Sequence, residues 1–226
     1  MHPRLSIVMP VLNEAAQLPV RLARLEALRA RGIELIIADG GSEDDSAGIA
    51  REFGAQVIVT ERGRARQMNA AARNARGGIL LFLHADTDLP ADADRLVLDG
   101  LARSERAWGR FDVDIVDGPR MLALVAYMMN LRSRLSGIAT GDQAIFVRRE
   151  TFERIGGFPD QPLMEDIELS RRLKRVSPPL CLRERATTSG RRWATRGTLR
   201  TVVLMWRLRL AYWLGTSPEQ LAERYR

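Results

Sequence analysis

The sequence contains a single cysteine, Cys181, among 226 residues, and it lacks the features of several protein classes. One cysteine forms no disulfide within the chain and offers no cysteine cluster for zinc, which suits a reducing cytoplasm. The N-terminal stretch has no apolar segment of the kind that a secretory signal needs. The longest apolar windows are too short to span a bilayer or are interrupted by Arg207 and Arg209. We therefore expect a cytoplasmic protein without a transmembrane anchor.

Two glycine motifs that bind phosphate are also missing. The first apolar run is followed by "PVLNEA" and not by the G-x-G-x-x-G of dinucleotide-binding dehydrogenases, and G-x-x-x-x-G-K-[ST] occurs nowhere. A diphosphate held without such a loop needs another source of positive charge. A hard divalent cation supplies it, because it takes one or two carboxylates and completes its shell with phosphate oxygens. Acidic residues are therefore the candidates for a phosphate-binding site.

Charge is distributed unevenly along the chain. Residues 171–226 contain 14 Lys or Arg and 3 acidic residues, a net charge of +11, whereas the first 170 residues carry −4. A basic segment attracts nucleic acid, an anionic membrane surface or a phosphorylated substrate. The hydrophobic fraction of 46% and the charged fraction of 28% are those of an ordinary globular protein. The length fits one large domain with a substantial core.

Apolar runs and helical patterns alternate through the first half of the chain. The runs "LSIVMPV", "IELIIAD", "AQVIVT" and "ILLFL" are continuous, which is typical of strands buried on both faces. Helical periodicity fills the segments between them, and Ser42 is a candidate N-cap for the second helix. This order predicts an α/β fold with a mostly parallel, doubly wound sheet and helices on both faces.

The second half of the chain is less regular. "WGRFDVDIVDG" alternates and predicts an antiparallel or edge strand, and "DQAIFVRR" predicts another strand. "PRMLALVAYMMNLRSRL" predicts an apolar helix, and "MEDIELSRRLKRV" predicts a helix with two acids in its first turn. The tail, residues 195–214, has apolar residues around most of its surface and several arginines, which fits either a packed or an interfacial helix.

Polar residues concentrate where the predicted strands end, and ligands of doubly wound sheets bind beyond the carboxyl ends of the strands. Asp39 follows the second strand directly, so its carboxylate can accept the N–H of a nucleotide base. Its alternative role is to form a turn with Gly40 and Gly41. The other polar segments after strands are residues 10–14, 62–66 and 84–88.

The segment "HADTD" is a candidate metal site. If the chain stays extended after the fourth strand, His84, Asp86 and Asp88 project to one side, because side chains alternate along a strand. Asp88 also lies two residues before Pro90, so it is equally suited to cap a helix whose first turn contains that proline. The residues leave both roles of Asp88 open.

Five segments in this order resemble the family 2 glycosyltransferases with the GT-A fold: "SIVMPVLNEA", "IIADGGSEDDS", "GRARQMNAAARNARGGILLFLHAD", "GDQAIFVRRETFERIGGFPD" and "MEDIELSRRL". The resemblance covers nearly the whole chain. It implies a single domain over residues 1–226, with a nucleotide-binding half (1–105), an acceptor and catalytic half (106–194) and a basic helical tail (195–226). The ending "SGRRW…LRLAYWLG" most resembles a short bacterial subgroup associated with arsenosugar biosynthesis.

The resemblance implies a metal-dependent, inverting hexosyltransferase. Its donor is expected to be a nucleoside diphosphate sugar, UDP-linked in preference to GDP-linked, and its acceptor a hydroxyl on a small or lipid-linked molecule. The processive polysaccharide synthases carry Gln-x-x-Arg-Trp, which this chain lacks, so we expect a single transfer and no processive synthesis. We expect no nucleic acid partner, and peripheral contact of the basic tail with the inner face of the membrane.

The resemblance also implies which residues bind the donor. Asp39 reads the base, and the family's paired acids fall at His84 and Asp86, with Ala85 between them. Asp86 is then the expected ligand of Mn²⁺ or Mg²⁺, and Asp88 is an auxiliary ligand or a cap. Histidine suits Mn²⁺ better than Mg²⁺, so the role of His84 is open. The remaining donor-binding positions are Pro10, Val11, Leu12, Glu14, Gly63, Arg64, Arg66, Arg191 and Arg192, the last two as compensation for diphosphate charge.

The family's catalytic base corresponds to Asp166, with Glu165 as its neighbour. A carboxylate in the first turn of a helix is kept ionised by the helix dipole, although the same placement also serves ordinary helix stabilisation. The acceptor and sugar pocket is expected to include Gly141, Asp142, Gln143 and Trp193, which resemble the family's pocket loop and later Arg-Trp element.

Two other classes of protein stay open on the residues alone. A nucleotidyltransferase would consume a nucleoside triphosphate and release pyrophosphate, but the early Gly-rich, Lys-bearing loop common in such enzymes is absent. A non-catalytic module would bind a membrane or nucleic acid through the basic tail. Such a module would not need Asp39, Asp86 and Asp166 at strand ends and at a helix start.

Overall fold

The first part of the chain folds into alternating strands and helices, as the sequence predicts. In the computed structural model, which describes residues 3–190 and 197–225, four strands pair side by side in parallel. Every residue of the first, second and fourth strands along the chain is buried, which explains their continuous apolar runs. The elements are β1 (Leu5–Val11), α1 (Leu18–Ala30), β2 (Glu34–Asp39), α2 (Ser46–Glu52), β3 (Gln56–Val59), α3 (Arg64–Asn74) and β4 (Ile79–Phe82).

The later part of the chain extends the same sheet with mixed strand directions. Its elements are β5 (Thr87–Asp88), α4 (Ala93–Ala102), β6 (Trp108–Val116), α5 (Met121–Ser136), a 3₁₀ turn (Gly141–Gln143), β7 (Phe146–Arg148), α6 (Arg149–Arg154), α7 (Glu165–Lys174), β8 (Leu180–Ser189), α8 (Thr198–Trp213) and α9 (Pro218–Tyr225). The sheet order is β3-β2-β1-β4-β7-β6-β8-β5. β7 is antiparallel to β4 and β6, whereas β6 and β8 are parallel.

Helices cover both faces of the sheet and enclose two separate apolar cores. On one face, α1 buries Leu18, Leu22, Leu25 and Leu28 against β1 and β2, and α4 adds Val97. On the other face, the alanines of α3 pack with residues of α6 and α7. The α/β class with helices on both faces is therefore confirmed. All described strands belong to one sheet, and the division at residues 105 and 194 stays a prediction.

The structure corrects four local predictions. β6 is antiparallel to β7, as one of the two predicted alternatives has it, but it is not an edge strand, because it lies between β7 and β8. The predicted strand "DQAIFVRR" is shortened to Phe146–Arg148, since its first residues form the 3₁₀ turn. α2 begins at Ser46 with Asp45 as N-cap, so Ser42 does not cap it. α4 begins only at Ala93, beyond Pro90, and Asp92 is its N-cap residue, so Asp88 does not cap that helix.

The C-terminal helices pack against the segment that precedes α7. Leu208 of α8 and Leu221 of α9 are buried with Leu163 and Met164, which stand just before the two acids at the start of α7. The predicted tail helix is thus confirmed over Thr198–Trp213. Among residues 3–190 and 197–225, no helix is long and apolar enough to cross a membrane.

Candidate active site

Gln67 of α3 joins the carboxyl ends of β1 and β2. Its side-chain nitrogen donates to the carbonyl oxygens of Val11 and Ala38, both at 2.8 Å, and its side chain is buried. A side chain at Gly40 would have no room, because a Cβ there would lie 2.9 Å from the Gln67 amide. Gln67 therefore holds the ends of β1 and β2 together at the sheet edge where the sequence predicts nucleotide binding. The sequence does not single out Gln67, because the alanine-rich α3 contains two other amide side chains, Asn69 and Asn74.

Asp39 is buried at the end of β2, with its carboxylate held by the turn that follows. It accepts hydrogen bonds from the backbone N–H of Ser42 at 3.2 and 3.3 Å and from the Ser42 hydroxyl. The turn role and the proposed base-reading role therefore concern the same carboxylate. The hydroxyl of Ser42, which does not cap a helix, positions Asp39.

The segment after β1 is tied to the segment after β2. The side chain of Asn13 accepts from the backbone N–H of Glu43 at 2.8 Å, and the backbone N–H of Asn13 donates to the Ser42 hydroxyl at 2.9 Å. Asn13 takes a left-handed conformation, with φ of 54°. The predicted donor-binding residues Pro10 and Val11 are buried in β1, so they can offer a ligand little besides their backbone. Leu12 and Glu14 follow at the same edge, half-buried.

His84, Asp86 and Asp142 converge on one point. Each offers one ligand atom, and these three atoms lie within 4.8 Å of one another. The imidazole Nδ1 of His84 is 3.4 Å from a carboxylate oxygen of Asp142. Asp142 comes from the 3₁₀ turn before β7, far along the chain, and the resemblance implies a place for it in the sugar pocket without a metal role. One imidazole and two carboxylates form a donor set suited to Mn²⁺.

Asp88 lies away from this cluster. The chain turns after β4, where the backbone N–H of Thr87 donates to the carbonyl of His84 at 3.1 Å, so the extended register assumed for "HADTD" does not continue. Asp88 instead forms ion pairs with Arg21, at 2.5 Å, and with Arg24. Both arginines belong to α1. We therefore leave Asp88 out of the candidate ligand set.

Negative charge surrounds His84. Burial lowers the pKa of its imidazole, but the hydrogen bond and the charge of Asp142 outweigh burial, and Asp86 adds to them, so the pKa lies above its usual value. Arg64 acts in the opposite direction. A site with this balance favours a cation.

Gly141 connects the candidate metal cluster to the candidate base. Its backbone N–H donates to a carboxylate oxygen of Asp166 at 3.0 Å, and a Cβ at this position would overlap the His84 ring. The second carboxylate oxygen of Asp166 accepts from the N–H of Ile167 at 2.8 Å. Asp166 is half-buried at the start of α7. Its carboxylate is therefore oriented from two sides.

Replacing Gly141 with Ala is expected to displace the His84 ring and weaken catalysis. A misplacement of about 1 Å in an active site can lower rates about 100-fold, so we expect a fall of that order in kcat/KM. The measurement is steady-state kinetics on the variant and on Gly156→Ala as a control. Gly156 has open space around it, so its Ala variant should suffer only local backbone strain from its φ of 78°. Equal activity losses in the two variants would contradict the link through His84.

Glu165 and Arg64 form a partly enclosed pair beside Asp166. The Arg64 Nε is 3.2 Å from Glu165, whose side chain is 5% exposed. Burial raises the pKa of Glu165, and the charge of Asp166 raises it further, whereas Arg64 lowers it. Met164, the residue before these acids, has a left-handed backbone with φ of 66°. The first two acids of α7 thus have different surroundings, since Glu165 pairs with Arg64 and Asp166 accepts the hydrogen bond from Gly141.

Arg64 and Arg66 have different surroundings. Burial lowers the pKa of Arg64, but the charges of Glu165, Asp166, Tyr225 and Asp142 raise it above its usual value. Arg64 is thus close to the candidate base Asp166 and to Asp142 of the candidate metal cluster. Arg66 lies at the surface, where it pairs with Glu61 and Asp160, each at 2.8 Å.

The predicted pocket residues are only partly brought together. Gln143 is fully buried, where its side chain bonds to the N–H of Thr140 and to Asn130, both at 3.2 Å. Gln143 therefore stabilises the 3₁₀ turn from the protein interior and does not line an open pocket. This corrects its predicted role in the acceptor and sugar pocket. Gly63 is the N-cap residue of α3, with φ of 141°. Arg191, Arg192 and Trp193 lie outside the described residues.

A family model described as Glycosyl transferase family 2 matches residues 6–156. A PGL/p-HBAD biosynthesis glycosyltransferase from Mycobacterium bovis is 33% identical over 168 residues, which are 69% of this chain and 63% of that protein. The chain thus spans less than two thirds of the length of this curated relative. The matches named here give no support to the arsenosugar subgroup.

Solved structures of similar fold extend over most of the chain. TarS residues 1–349 from S. aureus, in complex with UDP, has a TM-score of 0.68 at 16% identity, covering 82% of this chain and 60% of that one. The mannosyltransferase PcManGT from Pyrobaculum calidifontis, in complex with GDP-Man and Mn²⁺, has a TM-score of 0.65 at 21% identity, covering 99% and 69%. These likenesses show the fold, which is that of GT-A glycosyltransferases.

Proposed function

The chain belongs to glycosyltransferase family 2, and from that premise we propose that it transfers a hexosyl group from a nucleoside diphosphate sugar to a hydroxyl acceptor, with inversion at the anomeric carbon. One observation carries the proposal. The turn at Gly141 and Asp142 joins the metal-type cluster of His84 and Asp86 to Asp166, through the hydrogen bond from Gly141. A leaving diphosphate and an attacking hydroxyl would each find a charged group within one small site.

The donor is proposed to lie along the carboxyl edge of β1 and β2. Asp39 would accept an N–H of the base, and the backbone at Pro10, Val11 and Leu12 would line the nucleoside. Gln67 supports this proposal because it fixes the ends of both strands. We propose UDP as the nucleotide. One similar structure holds UDP and another holds GDP-Man, so the base has to be tested.

The diphosphate is proposed to lie between Arg64 and the cluster of His84, Asp86 and Asp142. These three residues fit a divalent cation, since an imidazole and two carboxylates converge there and negative charge surrounds them. A cation bound there would neutralise charge on the leaving diphosphate. Arg64 would supply further positive charge by exchanging its contact with Glu165 for phosphate oxygens. Gly63 and Arg66 would border the same edge, with Arg66 held outside by its acidic partners.

Asp166 is proposed as the general base. It would take the proton of the acceptor hydroxyl while that oxygen forms a bond to the anomeric carbon, and the nucleoside diphosphate would leave with the electron pair of the broken bond. The hydrogen bonds from Gly141 and Ile167 orient the carboxylate at the start of α7. Glu165 would position Arg64 and would not itself accept the proton.

Binding of nucleotide sugars tests the proposal most directly. UDP-glucose, UDP-N-acetylglucosamine, GDP-mannose and nucleoside triphosphates would be compared by thermal unfolding with Mn²⁺, Mg²⁺ or EDTA. A ligand present at about 100 times its Kd adds about 2.7 kcal/mol to the free energy of unfolding, so one donor should raise Tm clearly. We expect a UDP-sugar with Mn²⁺ to give the largest rise. Stabilisation by triphosphates alone would favour a nucleotidyltransferase instead.

A further inference from the structure

Exposed apolar side chains are concentrated on two helices. Of the fifteen large hydrophobic residues that are exposed in the described part of the chain, eleven lie on α5, on α8 or directly after α8. On α5 they are Met121, Leu124, Tyr127, Met128, Leu131 and Leu135; with α8 they are Val203, Trp206, Leu210, Trp213 and Leu214. Trp213 is 81% exposed and Leu135 is 80% exposed. Apolar residues scattered singly are ordinary on a surface, but a concentration of this kind marks an interaction site.

The exposed residues of each helix form one stripe. On α5, apart from the adjacent Tyr127 and Met128, they recur at spacings of three and four, which places them on one side of the helix. On α8 the pattern repeats from Val203 to Trp213. The opposite sides hold the helices to the protein, through Leu122 and Ala126 of α5 and Leu208 of α8. α5 and α8 also contact each other. We call the two stripes together the apolar face.

The chemistry of the apolar face matches an anionic lipid surface. Neither α5 nor α8 contains an acidic residue. The exposed Arg200 and Arg207 lie on the same side of α8 as Val203 and Leu210, and Arg120 precedes α5. Tryptophan and arginine beside aliphatic residues are typical of helices that lie in a membrane interface. A second copy of this chain fits less well, because a two-fold contact would bring two arginine-rich faces together.

We propose that the apolar face docks this protein on a membrane that contains anionic lipids, with α5 and α8 lying flat on the bilayer. Docking would place the candidate active site near the membrane. Leu208 of α8 packs with Leu163 and Met164, which immediately precede Glu165 and Asp166. The catalytic residues would then stand close to the lipid headgroups. This orientation rests on the proposed function, whereas docking itself does not. The sequence predicts membrane contact for the basic tail alone, whereas this proposal also includes α5, which lies outside that tail.

Sedimentation with vesicles tests the docking. We expect the protein to sediment with phosphatidylcholine vesicles that contain about 30% phosphatidylglycerol, and only weakly with pure phosphatidylcholine. The double variant Trp206→Ser, Trp213→Ser should bind at least about 10-fold more weakly, because two interfacial aromatic anchors are lost. Arg200→Gln and Arg207→Gln should each weaken binding about fivefold, and less at high salt. The matched control is Val20→Ser, Val59→Ser, two exposed valines away from the face.

Several outcomes would overturn the proposal. Vesicle binding that is unchanged in the tryptophan variant, or equal for both lipid compositions, would contradict docking by this face. A dimer in sedimentation velocity that the tryptophan variant disperses would assign the face to a second copy. Nucleotide binding by the tryptophan variant should equal that of the unaltered protein, so a failure of docking is distinguishable from a failure of the glycosyltransferase proposal. An α5 variant, Leu124→Ser with Leu131→Ser, should reproduce the loss and so include α5 in the contact.

Discussion

Replacing Asp166 with Asn is expected to lower kcat for sugar transfer by about 100- to 10,000-fold while the nucleotide still binds. Asparagine has nearly the same shape, and its oxygen can still accept from one of the two N–H groups, of Gly141 and Ile167, that orient Asp166. It cannot take a proton from the acceptor hydroxyl. General base catalysis contributes about 100- to 10,000-fold, so kcat should fall within that range. Turnover would be followed by release of nucleoside diphosphate, and nucleotide affinity by calorimetry in the presence of Mn²⁺.

Glu168→Gln provides the matched control for this variant. Glu168 lies two residues further along α7, where it pairs with Arg171 at 3.4 Å and with Arg172 at 3.3 Å. Its replacement removes the same charge near the start of the same helix without touching the Gly141 turn. We expect its kcat to stay close to that of the unaltered protein. Similar losses of kcat in both variants would mean that the negative charge at the start of α7 is needed, and not a proton acceptor at Asp166. Retained turnover of Asp166→Asn would place the base elsewhere.

The sequence predicts the central strands well because their signal is local. β1, β2 and β4 are buried on both faces, so each is a continuous apolar run between polar ends. β8 gives no such signal, so the sequence does not predict it. Arg183, Glu184 and Arg185 are exposed in its middle, and only Ala186 and Thr188 are buried, because β8 is covered less completely than the central strands. Strands of this kind are specified by pairing with β6, which a single sequence does not display.

The candidate site shows the same limit. Asp39 and Asp86 follow strands whose ends share one sheet edge, so topology alone places them together. Asp142 reaches the cluster only through the 3₁₀ turn before β7, and no spacing in the sequence indicates that approach. An extended chain after β4 predicts that Asp88 joins the cluster, and the turn at His84 excludes it. The resemblance aligned Asp166 correctly to the start of a helix, but its link to Gly141 required coordinates.

Replacing Asp86 or Asp142 with Asn is expected to remove the effect of Mn²⁺ on nucleotide binding. Each carboxylate belongs to the cluster whose ligand atoms lie within 4.8 Å of one another. Supporting residues around a metal typically contribute 10- to 100-fold to its affinity, so loss of a direct ligand should cost at least about 100-fold. UDP affinity would be measured by calorimetry with Mn²⁺ and with EDTA. In the unaltered protein Mn²⁺ should tighten UDP binding, and in either variant the two values should converge.

Asp88→Asn is the control that distinguishes this cluster from the wider acidic segment. It removes a carboxylate only two residues from Asp86, but one that pairs with Arg21 and Arg24. Its response to Mn²⁺ should equal that of the unaltered protein, with any loss confined to stability. His84→Ala then decides the open role of the imidazole, since a direct ligand would lose the Mn²⁺ effect and a neighbour would keep it. If Mn²⁺ no longer tightened UDP binding in Asp88→Asn but still did so in Asp142→Asn, the metal ligands would be those that an extended chain predicts, with Asp88 in place of Asp142.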